Sequence, residues 1–314
     1  MARPRVPAAA PPPDPAALVA PAAREAILGW YAATGRPLAF RSTADPYAVL
    51  VSELMAQQTQ AERAAAAWTR WIARWPTAGD LAAAPVAEVL RAWAGLGYNR
   101  RALALHRAAQ AIVAEHNGRV PDDLVALEAL PGVGPYTARA VAAIAFGRPV
   151  GAVDTNVRRV LGRLAAGGHE AFSASAMQVL ADAVVPRADA AAWTHALMDL
   201  GARLCAPRNP RCGECPAAAW CRYAAGERPA VPEAGSVSGR PRRSAPAFAS
   251  TTRWLRGRVI DRARAAPDGT WIPYGEAIGG HPAHAVREAV RALAGEGLLE
   301  AREDGECIEA RLPG

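Results

Sequence analysis

Residues 130–137 read LPGVGPYT, a short glycine-rich stretch that leads into an alanine-rich apolar run. Gly132 and Gly134 flank a single valine, and this pattern predicts a tight turn because glycine accepts positive φ without a Cβ penalty. Pro135 suits the first position of a helix, where its missing N–H is no loss. The turn therefore leaves backbone N–H groups at a helix N-terminus, which is an anion site suited to a phosphate.

Two carboxylates have unlike sequence surroundings. Residues 153–156 read VDTN, and Asp154 is expected at a helix N-terminus, where the dipole and N–H groups favour the ionised form. Glu53 shares a helix face with Leu50 and Leu54, where desolvation favours the protonated form. One protonated and one charged carboxyl suit cleavage of a glycosidic bond through a positively charged sugar. A plain N-cap and a solvent-facing glutamate are the alternatives.

The composition limits the kind of protein and of chemistry. The chain has 314 residues, which is enough for about two domains, and its net charge of +7 suits a polyanionic partner. All 36 basic residues are arginines, so a lysine Schiff base is excluded and only the N-terminal amine could form one. The sequence contains no apolar run of 18 residues, so we expect no membrane span and a cytoplasmic location.

Helical periodicity and helix caps predict an all-α protein up to residue 225, since no stretch alternates with period two. The predicted helices span 15–34, 46–57, 60–74, 78–84, 86–94, 99–116, 122–129, 135–146, 154–164, 172–184 and 188–204. The predicted organisation is a disordered tail at 1–14, an all-α region at 15–225, a Pro/Gly/Ser-rich linker at 226–248 and a second module at 249–314. In that module, helices at 252–265 and 282–294 and a hairpin at 298–311 suggest a small winged-helix-like fold that binds DNA or protein.

Four of the five cysteines are close in sequence with the spacing C-x6-C-x2-C-x5-C; they are Cys205, Cys212, Cys215 and Cys221. Thiols so close together in a reducing compartment indicate a metal site and not disulfides. A single C-x2-C with longer flanking gaps fits an iron–sulfur cluster better than zinc, which remains the alternative. Arg208 and Arg211 in the intervening loop either meet phosphate or are solvated charges. We expect Cys307 in the core of the hairpin.

Three further side chains are candidates for contact with a substrate. Tyr136 lies in the helix that follows the glycine turn, with core packing as the alternative. Gln58 and Tyr98 lie near breaks between helices, where a side chain can wedge into a base stack. For these two residues, an ordinary surface position is the alternative.

The order of these motifs resembles a known family. It is the order seen in helix-hairpin-helix DNA glycosylases with a 4Fe–4S cluster, and the resemblance covers about residues 28–223. The motifs are SELMAQQTQ at 52–60, GLGY at 95–98, LPGVGPYT at 130–137, VDTN at 153–156, MDLG at 198–201 and the four cysteines. Within the superfamily, the chain is most similar to the MutY-type adenine glycosylases, which remove adenine mispaired with 8-oxoguanine or guanine.

The resemblance implies a six-helix barrel with an iron–sulfur cluster domain, and roles for the catalytic residues. Glu53 would protonate the adenine ring, Asp154 would stabilise the sugar cation, and Asn156 would lie close to that aspartate. Tyr136 stands where the related endonuclease III group has its nucleophilic lysine. The resemblance and the lack of lysine together favour a monofunctional glycosylase.

The resemblance also implies how DNA is held. Gln58 and Tyr98 would fill the stack after base flipping, and the hairpin of Gly132, Val133 and Gly134 would hold the backbone, often with a bound monovalent cation. The substrate would be mismatched double-stranded DNA at the nucleoid, and the enzyme would be a monomer. Residues 249–314 are too short, and patterned differently, for the family's usual nudix-like domain.

Two other functions are open to the same sequence. One is a thymine or uracil mismatch glycosylase, because a tyrosine at position 136 also occurs on that scaffold. The glutamines that follow Glu53 favour adenine. The other is a catalytically silent iron–sulfur DNA-binding protein, against which the presence of both carboxylates argues.

Overall fold

The structure is a computed structural model that describes residues 14–227, 247–305 and 307–314. The chain divides into two compact units. Unit 1 contains the described residues up to 36 together with 147–227, and unit 2 contains 37–146 together with the described residues from 247 onwards. The four-part organisation expected from the sequence stays a prediction. Most of its tail (1–13) and of its linker (228–246) lies outside the described residues.

The described residues form thirteen α-helices, most of them within two residues of the predicted bounds. They are α1 Pro21–Thr34, α2 Pro46–Ala56, α3 Ala61–Arg74, α4 Ala78–Ala82, α5 Val86–Ala92, α6 Arg100–His116, α7 Leu124–Ala129, α8 Pro135–Phe146, α9 Thr155–Ala166, α10 Ala174–Ala183, α11 Ala190–Arg203, α12 Thr252–Ala265 and α13 Ala283–Gly295. No strand occurs within 14–227, so the all-α prediction is confirmed there. Among the described residues, no helix is both long and apolar enough to cross a membrane.

Unit 1 is built on α9, which packs against α10 and α11, while α1 packs against α11. A partly buried ion pair joins α11 to the residue that follows α1: the fully buried Asp199 carboxylate accepts hydrogen bonds from the backbone N and the Nε of Arg36, at 3.0 and 2.8 Å. Gly162 in α9 lies so close to the following turn that a Cβ there would meet the Cα of His169 at 2.4 Å. The turn after α9 therefore depends on a residue without a side chain.

In unit 2, α2 lies against α3, α6 and α8 and is buried along most of its length. Trp71 packs edge-on against Trp75 and Trp93, with ring centroids 4.7 and 5.6 Å apart. These large rings fill the space between α3 and α5.

The C-terminal region of unit 2 contains α12, α13 and a three-stranded antiparallel sheet. The predicted hairpin is confirmed as β2 Glu300–Asp304 and β3 Cys307–Arg311, and β1 Ile272–Pro273 pairs with the other side of β3. β1 has only two residues, one of them proline, which is too little for a periodic signal. The expectation for Cys307 was wrong: strand alternation buries Ile308 and Ala310 and leaves this thiol exposed.

The C-terminal region is fastened to α5 and its surroundings by arginines. Arg264 donates from Nε to the carbonyl of Leu90 at 2.9 Å and from Nη2 to Oδ1 of Asn99 at 2.7 Å. Arg91 donates to the carbonyl of Ala266 at 3.1 Å and pairs with Asp268. These two guanidinium groups donate to backbone carbonyls of α5 and of the segment after α12. The C-terminal region belongs to unit 2.

Two helical glycines give a matched test of this packing. Gly162→Ala should lower the free energy of unfolding by about 1–3 kcal/mol, because the new methyl group meets backbone. Gly29→Ala, in α1, meets nothing within 4 Å and should raise it by about 0.5–1 kcal/mol through helix propensity. Thermal unfolding of both variants checks the prediction, and a gain in stability for Gly162→Ala would contradict it.

Candidate functional site

Glu53 lies inside the apolar face that the sequence predicted. The α2 helix begins after Asp45, whose Oδ1 accepts a hydrogen bond from the backbone N of Ala48 at 2.7 Å. Its face carries Leu50 and Leu54, both 0% exposed, and Glu53 is only 8% exposed. The carboxyl of Glu53 therefore lies on a face shared with fully buried leucines, where little solvent reaches it.

The helix that carries Glu53 is joined to the helix that follows the glycine turn. Nε2 of Gln57 donates to Oγ1 of Thr137 at 3.2 Å, which connects the end of α2 to the first turn of α8. Tyr136, the neighbour of Thr137, is half-buried. The structure therefore gathers Glu53 and Tyr136 on two helices that pack together within unit 2.

The glycine turn is tight, as predicted, but its two glycines differ. Val133 is buried, and its backbone N donates to the carbonyl of Leu130 at 3.0 Å. Gly132 has φ of 80°, and a Cβ there would lie 2.6 Å from the Cβ of Ala104. Gly134 does not adopt positive φ, and its carbonyl accepts the first hydrogen bond of α8 from Ala138 at 2.9 Å. Only Gly132 is thus required by backbone conformation and close approach.

Gln58 and Tyr98 share an uncommon backbone conformation. Their φ angles are 51° and 47°, in the left-handed region that non-glycine residues seldom adopt. Both side chains are exposed, Tyr98 to 42%. Both loops therefore present an exposed side chain to solvent, as is required of a residue that enters a base stack.

Arg101, which is not among the predicted site residues, connects the two loops that carry Gln58 and Tyr98. Its Nη1 donates to the carbonyl of Leu54 at 2.8 Å and also to that of Gln57, while its Nη2 donates to the carbonyl of Leu96 at 3.1 Å. Burial lowers the pKa of this guanidinium. No sequence signal separates Arg101 from a surface arginine, because its partners are backbone carbonyls.

Asp154 caps α9, as predicted. Its Oδ1 accepts from the backbone N of Val157 at 2.7 Å, and its Oδ2 accepts from Nδ2 of Asn156 at 3.0 Å. Both carboxylate oxygens therefore accept hydrogen bonds, at the positive end of a helix dipole. This arrangement fixes the position of the carboxyl group.

Asn156 is oriented in turn by a buried guanidinium. Its Oδ1 accepts from Nη2 of Arg159 at 2.8 Å. Arg159 also donates to the carbonyls of Gly201 at 2.8 Å and Cys205 at 2.7 Å. A Cβ at Gly201 would lie 2.6 Å from the Cβ of Asn156, so the glycine allows α11 to approach this network. The cysteine loop and Asp154 are thereby linked through two side chains.

The four cysteines of the predicted cluster line one small cavity together with Arg163. Nη1 of Arg163 lies 3.3 Å from Sγ of Cys205, and its guanidinium lies over the ring of Tyr223 at 4.3 Å. All four thiols are free, and burial raises the pKa of Cys215 to about 11. Half-buried thiols with an arginine beside them form a donor set that fits an anionic thiolate cluster.

Within the described residues, no group of three or more His, Cys, Asp or Glu side chains is placed to hold a single metal ion. The two arginines of the intervening loop differ. Arg211 pairs with Glu214 at 3.2 Å and donates to the carbonyl of Arg203 at 3.0 Å. Arg208 is exposed and pairs with no carboxylate of the described residues. Arg208 is therefore the freer of the two for an external anion.

The predicted site residues fall into two groups. Unit 2 carries Glu53, Tyr136, Gln58, Tyr98 and the glycine hairpin, and unit 1 carries Asp154, Asn156, Arg208, Arg211 and the cysteines. That the two groups act on one nucleotide stays a prediction.

The cap at Asp154 can be tested by stability alone. Asp154→Ala loses the bond to Val157 and should lower the free energy of unfolding by about 1 kcal/mol. Asp154→Asn keeps a cap of nearly equal strength, so its melting temperature should lie above that of the alanine variant. Equal melting temperatures for the alanine variant and the wild type would show that the cap adds nothing.

Comparison with known proteins places this geometry in a family. Residues 51–183 match the family model of the HhH-GPD superfamily base excision DNA repair proteins. An adenine DNA glycosylase of Mycobacterium tuberculosis is 46% identical over 245 residues, which cover 76% of this chain and 78% of the relative. One of Mycolicibacterium smegmatis is 41% identical over 289 residues, which cover 89% of this chain and 93% of the relative.

Solved structures share the helical fold. A thermostable thymine-DNA glycosylase superposes with a TM-score of 0.61 at 31% identity, over 65% of this chain and 95% of that one. An endonuclease III in a non-covalent DNA complex superposes with a TM-score of 0.56 at 25% identity, over 65% of this chain and 94% of that one. The fold class expected from the sequence is confirmed. The chain belongs to the adenine DNA glycosylases of the helix-hairpin-helix superfamily.

Proposed function

We propose that the protein is a monofunctional DNA glycosylase of base excision repair, which hydrolyses the N-glycosidic bond of adenine mispaired with 8-oxoguanine or guanine. The observation that carries this proposal is the contrast between the two carboxyl groups. Glu53 is buried on the α2 face that also carries Leu50 and Leu54, and Asp154 is held at the start of α9 by hydrogen bonds to both of its oxygens. Membership in a family of adenine DNA glycosylases supports the choice of base.

Glu53 supplies the proton in this proposal. A buried, protonated carboxyl donates to the adenine ring and makes the base a better leaving group. Adenine is lost as a neutral base, and the electrons of the glycosidic bond leave with it. The sugar is left with positive charge at its anomeric carbon.

Asp154 stabilises that positive charge. Its carboxylate is held by the backbone N of Val157 and by Asn156, so little reorganisation is needed when the sugar cation forms. Asn156 acts as a positioning residue, because it fixes the carboxylate and is itself fixed by Arg159. Water then completes the hydrolysis.

The chain is proposed to stop at base removal. No lysine is present to form a Schiff base with the sugar, and Tyr136 occupies the position of the nucleophilic lysine in the endonuclease III group. Strand cleavage at the resulting abasic site therefore needs alkali or another enzyme.

For DNA binding, we propose three contact regions. Gln58 and Tyr98 enter the base stack from loops with left-handed backbone. The hairpin of Gly132, Val133 and Gly134 holds the DNA backbone together with a monovalent cation. Arg208 and Arg211 are proposed to meet phosphate, the latter after exchange of its Glu214 partner. The enzyme acts as a monomer on mismatched duplex DNA in the cytoplasm, at the nucleoid.

The cysteine loop is proposed to hold a 4Fe–4S cluster, with Cys205, Cys212, Cys215 and Cys221 as ligands. The cavity that these thiols share and the guanidinium of Arg163 beside Cys205 support this assignment. When bound, the cluster would be held by these four thiols as thiolates. The proposed role of the cluster is to order the cysteine loop.

A thymine or uracil mismatch glycosylase is the second candidate, favoured by the superposition on a thymine-DNA glycosylase at 31% identity. A catalytically silent DNA-binding protein is the third. Excision from a panel of duplexes separates the three.

The wild-type enzyme should release adenine opposite 8-oxoguanine and guanine, and should leave G:T and G:U duplexes intact. Glu53→Gln and Asp154→Asn should each slow release by at least about a hundredfold, because one removes the proton donor and the other the anion. Alkali treatment followed by gel electrophoresis measures release under single-turnover conditions.

Asp123→Asn is the matched control, since Asp123 caps α7 in the same way as Asp154 caps α9. It should excise adenine at close to the wild-type rate. Cleavage of G:T in place of A:8-oxoguanine would overturn the substrate assignment, and no cleavage of any duplex would overturn the enzymatic one.

The cluster has its own test. Cys212→Ser should lose most of its iron and acid-labile sulfide because one ligand is missing, whereas Cys307→Ser should keep both, since that thiol lies exposed on β3. Chemical analysis of the purified variants gives the contents. Zinc in place of iron in the wild type, or full iron in Cys212→Ser, would contradict the assignment.

A further inference from the structure

A groove of about 660 Å³ lies within unit 2, beside the loops that carry Gln58 and Tyr98. One wall is formed by these loops and by Asn99–Arg101, and the other by Phe248, the first turns of α12 and the end of α13. The C-terminal region therefore forms half of a concave surface next to the two residues proposed to enter the DNA stack.

The groove is lined by arginines. Of its described lining residues, five are arginines and one, Glu296, is a carboxylate. That carboxylate is already bound by Nε of Arg100 at 2.7 Å and by Nη2 of Arg256 at 2.5 Å. Arg258 pairs with Asp261, which lies outside the lining, at 2.6 Å. The described arginines of the groove that remain without a carboxylate partner are Arg101 and Arg253, and an excess of positive charge is expected of a surface that follows a phosphate backbone.

Arg253 is an exposed arginine of the groove that lies beside Tyr98. Its Nη1 donates to the hydroxyl of Tyr98 at 3.0 Å, and its guanidinium carbon lies 4.8 Å from the Tyr98 ring and 5.4 Å from the Phe248 ring. Among the described residues it pairs with no carboxylate. Arg101 also lies over the Tyr98 ring, at 5.4 Å, but its N–H groups are directed to backbone carbonyls.

We propose that this groove holds one strand of duplex DNA, with Arg253 binding a phosphate beside the base step that Tyr98 enters. A guanidinium has five N–H donors, so Arg253 can keep its bond to the Tyr98 hydroxyl and still offer a pair of donors to phosphate oxygens. The inference rests on the proposed function, because it places Tyr98 in the stack.

In this role, Arg253 acts both as a phosphate contact and as a positioning residue. Its bond to the hydroxyl fixes the direction of the Tyr98 ring before DNA arrives. The C-terminal region is thereby assigned to DNA and not to a protein partner. Helix α12 places the guanidinium of Arg253 against Tyr98, which lies on the opposite wall of the groove.

The test compares Arg253→Gln with Arg262→Gln in the full-length protein. Both residues are exposed arginines of α12, but Arg262 lies over Tyr274 and does not line the groove. Binding to a matched duplex and to an A:8-oxoguanine duplex is measured over a series of salt concentrations. Melting temperatures confirm that both variants are folded.

Arg253→Gln should bind both duplexes about tenfold more weakly at low salt. The slope of log K against log salt should fall by about 0.9, the value for one phosphate contact, while Arg262→Gln keeps the wild-type slope. Equal slopes for the two variants, or an unchanged slope for Arg253→Gln, would overturn the proposal. Weakening confined to the 8-oxoguanine duplex would overturn it too, because it would indicate contact with a base.

Tyr98→Phe separates the positioning role from the phosphate contact. It removes only the hydroxyl, so the salt slope should stay at the wild-type value while adenine release slows. An unchanged release rate would show that the hydroxyl bond to Arg253 positions nothing. Failure of the wild type to release adenine would end the proposed enzymatic function, but a slope change specific to Arg253 would still establish the groove as a DNA surface.

Discussion

The buried guanidinium of Arg159 is the interaction on which unit 1 depends. Acceptors from three segments meet it: the carbonyl of Thr155 and the amide oxygen of Asn156 in α9, the carbonyl of Gly201 in α11, and that of Cys205 in the cysteine loop. A buried guanidinium without such partners is strongly destabilising, so the three segments are held together by the requirement to satisfy it. The position of Asp154 and the path of the cysteine loop are consequently set by the same group.

Arginines have a similar task in unit 2, where they join the C-terminal region to the helices around α5. Arg91 and Arg264 each satisfy backbone carbonyls across the boundary between segments far apart in sequence. The guanidinium group of arginine is planar and has five N–H donors, so it can bind several carbonyls at once, and it stays charged when buried. A chain in which every basic residue is arginine can use these groups as internal connectors as well as for contact with anions.

Much of this architecture could be predicted from the sequence, because helices are encoded locally. Caps such as Asp45 and Asp154, and a proline at the first helical position, define helix starts within a few residues. The spacing of the four cysteines and the apolar helix face around Glu53 are likewise visible in the sequence. Family membership, which the motifs suggested, is confirmed by relatives that match most of the chain.

What could not be predicted depends on contacts between distant segments. Arg101 and Arg159 resemble surface arginines in sequence, since their partners are backbone carbonyls that have no sequence signature. The positive φ of Gln58 and Tyr98 is imposed by the surrounding loops and not by residue type. Cys307 was placed on the wrong face of its strand, because a shift of one residue in a short strand reverses inside and outside.

The way in which Arg101 ties two loops together has a mechanical consequence. The loop of Gln58 and the loop of Tyr98 are both hydrogen-bonded to the planar guanidinium of Arg101, so a displacement of one loop is transmitted to the other. Two side chains that lie 40 positions apart along the chain are thereby coupled mechanically. In the proposed function, Gln58 and Tyr98 would approach the base stack together and not one after the other.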